Sequence, residues 1–126
     1  MDSKKLKALS QMTEKGYCKH SCKITVHDEA RFDDDIPVGY AWYSWTTEKK
    51  QFPQDIEAIF VCLPQYTDDN GKLHGMVSRL DTQYSKIKER VKWQLSGTLE
   101  KPTLSPSVHW VGVWHGWLKD GFLKSC

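Results

Sequence analysis

Leu6, Leu9 and Met12 recur at helical spacing among Lys4, Lys5 and Lys7, and Gly16 stands where such a helix would be capped. Residues 3–15 therefore predict a short amphipathic helix. Beyond Gly16 the period changes to two. Ile24 and Val26 alternate with Lys23, Thr25 and His27, and Val91, Trp93 and Leu95 alternate with Lys92 and Gln94. Residues 36–47 carry Tyr40, Trp42, Tyr43 and Trp45, which implies a strand buried on both faces or one that presents a face to a ligand. Ile56 to Leu63 is the most apolar run, short and bounded by Pro53 and Pro64, as a central strand would be.

The breaks are equally informative. Asn70-Gly71 closes a loop from Tyr66, so residues 73–80 should pair back on the central strand as a hairpin. Asp120-Gly121 predicts a tight turn. Pro102 and Pro106 bracket Thr103-Leu104-Ser105, which predicts an irregular, rigid crossing in place of a strand. Asp81 to Ser85 reads as a helical turn or loop, followed by a charged edge strand through Lys86, Lys88 and Arg90. Extended structure is thus expected over 17–27, 36–47, 56–63, 73–80, 91–96 and 107–118. The fold expected is a single β-rich α+β domain spanning 1–126. It would be an antiparallel sandwich or half-open barrel with the N-terminal helix packed on one side.

Composition narrows function more than fold. A net charge of +2 over 126 residues argues weakly for nucleic acid, and the Asp33–Asp35 run argues against it. No stretch approaches the roughly 20 apolar residues of a membrane span, and no apolar run follows the basic N-terminus. A cytoplasmic location is expected. The four cysteines are then reduced thiols or metal ligands. Cys18, His20, Cys22 and His27 crowd into ten residues, but their spacing is not that of a common zinc finger, and they read as ordinary strand residues.

The tail carries a resemblance. A tryptophan strand ending in Gly97, then Pro102-Thr-Leu-Ser-Pro-Ser107, then His115-Gly-Trp-Leu-Lys-Asp-Gly121 resembles a family of small phage and bacterial proteins of unknown function. Its members are often misannotated as ammonia monooxygenases. The likeness covers Trp93 to Phe122 and, more loosely, Ile56 to Leu80. It implies a zinc site, for which Cys62, His74, His115 and Cys126 are the candidate ligands, two thiolates and two imidazoles suiting tetrahedral zinc. Gln65 stands where relatives have a second cysteine. His115 is accordingly expected to be at least partly buried, held by Cys62, His74 or a metal shared with them. Gly116 would let another backbone approach beside it.

Catalytic motifs of the common hydrolase and nucleotide-binding types are missing. Cys62 with His74 or His115 is the remaining nucleophile and base, and Glu57 and Asp120 are nominal acidic groups. Trp42, Trp45, Trp110 and Trp114, with Lys86, Lys88 and Arg90, are the candidate binding residues. Such side chains dominate protein interfaces and also stack bases. The function expected is a non-enzymatic phage-type accessory protein that binds and inhibits a host protein of a defence system. The alternatives are a zinc-binding domain with hydrolase activity and a nucleic-acid-binding protein.

Overall fold

The longest strand, β4 (Ile56–Thr67), organises the computed structural model, which describes residues 22–125. Its alternation buries Ile59, Val61 and Leu63 completely on one face. β3 (Tyr40–Trp45) and β5 (Leu73–Thr82) flank it, both antiparallel. Ala41 and Tyr43 of β3 point the same way and join the core. Trp42 turns to the opposite face and stacks on Phe60 with ring centres 5.1 Å apart, and the Arg79 guanidinium lies 5.6 Å above Phe60. Residues 27–36 cover this second aromatic layer, with His27 stacked on Tyr40 and Phe32 edge-on to Trp42. The aromatic strand is buried on both faces.

The second half of the chain forms β6 (Lys92–Gly97), β7 (Pro102–Trp110), β8 (Trp114–Lys119) and β9 (Phe122–Ser125) in antiparallel succession. Leu95, Leu104, Val108, Trp114, Leu118 and Leu123 point into the same core. The β8–β9 connection has two residues, Asp120 and Gly121, with φ of 50° and 76°. Both positive angles are what a tight hairpin with the right strand twist requires.

Two short strands complete the wall. β1 (Cys22–Lys23) pairs with β9, and β2 (Thr25–Val26) pairs in parallel with β3. Only Ile24 separates them. Its N–H donates to the Gly121 carbonyl at 2.9 Å, while the next N–H, of Thr25, donates to Gly39 at 2.9 Å. The strand order is β1-β9-β8-β7-β6-β5-β4-β3-β2, so the two ends of the nine-stranded sheet are neighbours in sequence and the sheet is a nearly closed barrel.

The α+β expectation is therefore corrected. Every helix or strand element among the described residues is a strand, and two of the pairings, β2–β3 and β5–β6, are parallel. The helix expected over 3–15 lies outside the described residues. The crossing expected at 102–107 is also corrected, since it is part of β7. The register slips between Leu104 and Val108, so Pro106 falls where the ladder is already interrupted. The span 107–118 is two strands joined by Val111-Gly112-Val113, and residues 86–91 form an exposed loop where an edge strand was expected.

β5 and β6 meet only at Asp81↔Lys92 and Thr82↔Trp93. Side chains reinforce this seam. Asp81 is wholly buried and accepts from Ser85 Oγ at 2.6 Å, Arg90 Nε at 2.7 Å and Arg79 Nε at 3.2 Å. The Gln83 amide takes both backbone groups of Leu95, accepting from its N–H at 2.7 Å and donating to its carbonyl at 3.1 Å, as a neighbouring strand would. Desolvation opposes charge on Asp81, but its hydrogen bonds to Ser85 and Arg79 and the two guanidinium charges outweigh it and hold the carboxyl below its ordinary range. A depressed folded value means that the stabilisation is present above the unfolded carboxyl's range and is lost as the pH falls through the folded one. Asp81→Asn is expected to lower unfolding free energy by about 2–3 kcal/mol at pH 7. In denaturant titrations the gap from the parent should narrow below about pH 4.

Candidate functional site

The β7–β8 hairpin sends its apolar residues inward and its chemistry outward. Trp114, Gly116 and Leu118 of β8 face the core, which leaves His115 and Trp117 on the outer face, Trp117 being 45% exposed. The register sets His115 directly across from His109 of β7. The two imidazoles stack with centres 4.5 Å apart and planes inclined by 26°, and the Trp117 ring lies 6.5 Å from His115.

β7 carries hydroxyls beside these rings. Leu104 and Val108 both point inward, and an uninterrupted strand would set a single outward residue on each side of one inward residue between them. The slipped register instead frees Ser105-Pro106-Ser107, of which Ser105 is exposed and Ser107 half-buried. Ser107 immediately precedes the Val108↔Gly116 pair, so its neighbours across the ladder are Trp117 and, diagonally, His115. Diagonal neighbours on one sheet face lie roughly 7–8 Å apart at the backbone, within reach of a serine and an imidazole that turn toward each other. The Trp93 indole N–H fixes this piece of backbone by donating to the Ser107 carbonyl at 3.3 Å. Ser107, two imidazoles and an exposed indole thus lie on neighbouring positions of the hairpin, with the exposed Ser105 two residues before Ser107. An imidazole there can take a proton from a hydroxyl that attacks an incoming carbonyl.

The residues singled out from sequence lie elsewhere, apart from His115. The Cys62 thiol is buried against the Ile36 carbonyl at 3.5 Å, and burial pushes it up to about 11, so it is protonated near neutral pH. It forms part of a cavity of about 280 Å³ under the 31–36 segment, where Arg31 and Asp33 pair with each other at 2.6 Å. His74 pairs with Asp68 at 2.8 Å and stacks on Tyr66 at 4.8 Å. Asp68 also accepts the N–H groups of Asn70 and Lys72, so His74 serves as a clasp on the Asn-Gly loop. The hydrogen bond from His74, then those backbone donors, holds the Asp68 carboxyl below its ordinary range.

Cys62, His74 and His115 are not brought together, and Cys126 lies outside the described residues, as do Cys18 and His20. Among the described residues no group of three or more His, Cys, Asp or Glu is placed to hold a metal ion. Glu57 accepts from Ser44 at 2.7 Å, and Asp120 sits in its turn. Trp42 and Trp114 are buried, the latter donating to Ser125 Oγ at 3.1 Å, and Trp45 and Trp110 pack half-buried against the core. Lys86 and Lys88 are exposed on the 86–91 loop, whereas Arg90 is bound to Asp81.

The sequence reading missed His109 and the pairing of Ser105 and Ser107 with His115. The signal was a histidine three residues to either side of Gly112, which a three-residue turn at Val111-Gly112-Val113 brings opposite each other. The expectation that His115 is buried is corrected: it is exposed, because Trp114 and Gly116 take the inward positions on either side of it. A close backbone approach does occur at Gly116, where an added Cβ would run into the Lys124 carbonyl and the Trp114 ring. His115→Ala should therefore shift unfolding free energy by no more than about 0.5 kcal/mol, whereas Gly116→Ala should cost about 1–3 kcal/mol in the same denaturant titration.

The family model of BubE, described as a bacterial ubiquitination-like system serine protease, matches residues 69–126, just under half of the chain. That stretch holds β5 to β9 and every residue of the serine–histidine face. No curated protein and no solved structure matches the chain.

Proposed function

We propose that the protein is a serine hydrolase that cleaves polypeptide within a bacterial ubiquitination-like system, with Ser107 as nucleophile and His115 as general base. One observation carries this reading. The stretch similar to a serine protease family is the stretch that carries Ser105 and Ser107 on β7 beside the paired His109 and His115, which supports this reading. The Ser107 hydroxyl would give its proton to the His115 ring as its oxygen attacks a peptide carbonyl carbon. The imidazolium then returns that proton to the leaving amine as the C–N bond breaks. Water, deprotonated by the same ring, releases the acyl group and restores the serine. His109, stacked on His115, limits the directions in which that ring can turn. Ser105 sits one bulge position away and is the nucleophile to be distinguished from Ser107.

A second reading is the non-enzymatic accessory protein that captures a host defence protein. The observation in its favour is apolar exposure at the same hairpin, where Val111 at the turn is 84% exposed beside the exposed Trp117. Aromatic anchors of this kind dominate protein interfaces.

Reaction with a fluorophosphonate, followed by intact mass and peptide mapping, separates the two. The hydrolase reading expects one adduct per chain, on Ser107. His115→Ala should slow labelling by about 10²–10⁴-fold while leaving the melting curve nearly unchanged. Labelling that persists in the Ser105→Ala/Ser107→Ala double variant would put any nucleophile elsewhere. A parent protein that takes no label and still binds a host protein through Trp117 would favour the accessory reading.

A further inference from the structure

β6 begins only at Lys92, and this leaves two strand edges without a strand partner among the described residues. β5 starts at Leu73 but meets β6 only at Asp81 and Thr82, so its earlier residues have β4 on one side alone. β7 runs on to Trp110 but meets β6 only through Ser105, so its last residues have β8 on one side alone. β6 is parallel to β5 and antiparallel to β7. The two unpartnered stretches therefore extend in the same direction, past the start of β6, and flank the wall position that a longer β6 would fill. The 86–91 connection makes no strand pairing with β5 or β7 and reaches this edge through the Arg90 side chain at the Arg79 carbonyl.

The direction of the backbone groups on β5 can be worked out. In an antiparallel strand the N–H and C=O of one residue point to the same side, and successive residues alternate. Asp81 pairs toward β6, and the Arg79 carbonyl is reached by Arg90 Nη2 at 3.2 Å from that side. Gly75 lies opposite Pro64, which has no N–H to exchange. Gly75 and Val77 therefore turn their N–H and C=O groups to the unpartnered edge. On β7 the Ser107 carbonyl faces the corresponding side, toward Trp93. Met76, on the inward-pointing side of β5 with Ser78 and Leu80, is 43% exposed, and the buried Ser78 hydroxyl has no hydrogen-bond partner.

We infer that this gap is a substrate cleft that takes an extended acidic polypeptide as an added strand between β5 and β7. The inference rests on the hydrolase reading for its meaning and deepens it by naming how substrate is held. A strand in the gap hydrogen-bonds Gly75 and Val77 on one side and passes the Ser107–His109 edge on the other. Its backbone then runs one strand spacing, about 4.8 Å, from Ser107. The exposed Lys86 and Lys88 on the adjoining loop favour acidic side chains at its flank.

The test uses the full-length Ser105→Ala/Ser107→Ala protein, which cannot turn over what it binds, and a pool of blocked decapeptides rich in Asp and Glu. Residue-level amide exchange is the readout. Without peptide, Gly75 and Val77 should exchange far faster than Ser78 and Leu80, which face β4. With peptide, both should slow by at least about tenfold, the loss of exchange expected on gaining a strand partner. Val77→Pro, which removes one edge donor at a position where proline is tolerated, should weaken peptide binding by at least tenfold.

Three outcomes overturn the cleft. Gly75 and Val77 could already be protected in dilute protein, which means another part of the chain covers the edge. They could become protected as protein concentration rises, which means a second copy pairs there. Peptide could also bind, or fail to bind, with no change at either amide. Because the exchange test uses the doubly substituted protein, a parent protein that takes no fluorophosphonate label sinks the hydrolase reading without touching this result, and edge amides that stay unprotected with peptide sink the cleft without touching the labelling.

Discussion

Closure of the sheet through Ile24 is the constraint on which the rest of the fold depends. Five residues serve two edges, pairing with β9 on one side and β3 on the other, so the chain must pass close to both. Gly39 makes the passage possible. Its φ is +93°, and a Cβ there would stand 2.7 Å from the Lys23 carbonyl, closer than any side chain can approach. The Asp120-Gly121 turn serves the same closure from the other side, since Gly121 accepts from Ile24 and donates to Pro102. With the edges joined there, Ile24 seals the core beside Leu123 and Ala41.

The β5–β6 seam has the opposite character. Two paired residues contribute few backbone hydrogen bonds, and a buried carboxylate with two guanidinium partners holds the strands where the ladder does not. A buried charge is tolerated only when its partners are complete, and Asp81 has Ser85, Arg79 and Arg90 within hydrogen-bond distance. One seam is thus closed by backbone and the other by side chains. The barrel is stiff around Ile24 and interrupted near β6, and the outward chemistry of β7 and β8 adjoins the interrupted side.

That chemistry is held by the core beneath it. Val108, Trp114 and Leu118 anchor the inward face of the hairpin, and the alternation of a strand then delivers His109, His115 and Trp117 outward without any packing of their own. Strand alternation between the inward Leu104 and Val108 also accounts for the outward hydroxyls, and the irregularity there leaves Pro106 exposed where a flat ladder would turn it inward.

What the sequence determined by itself was local. An apolar run between prolines marked β4, the Asn70-Gly71 turn marked the first part of β5 and alternation marked β6, while Asp120-Gly121 marked the β8–β9 turn, because the φ values of such turns are restricted by residue type. Candidate chemistry was legible only as residue type, and His115 was chosen for its Gly116 neighbour, whose backbone approach exists but comes from Lys124 on the core side. Tertiary structure decided everything that depends on pairing between distant strands: the barrel, the parallel seams, and the separation of Cys62 and His74 from His115. It also set His109 across from His115, through a turn at Val111-Gly112-Val113 that a run of β-forming residues conceals. Periodicity reports which face of a strand is apolar, but not which strand lies beside it. Register and closure are set by the sum of contacts across the whole sheet, and no local stretch of sequence contains that sum.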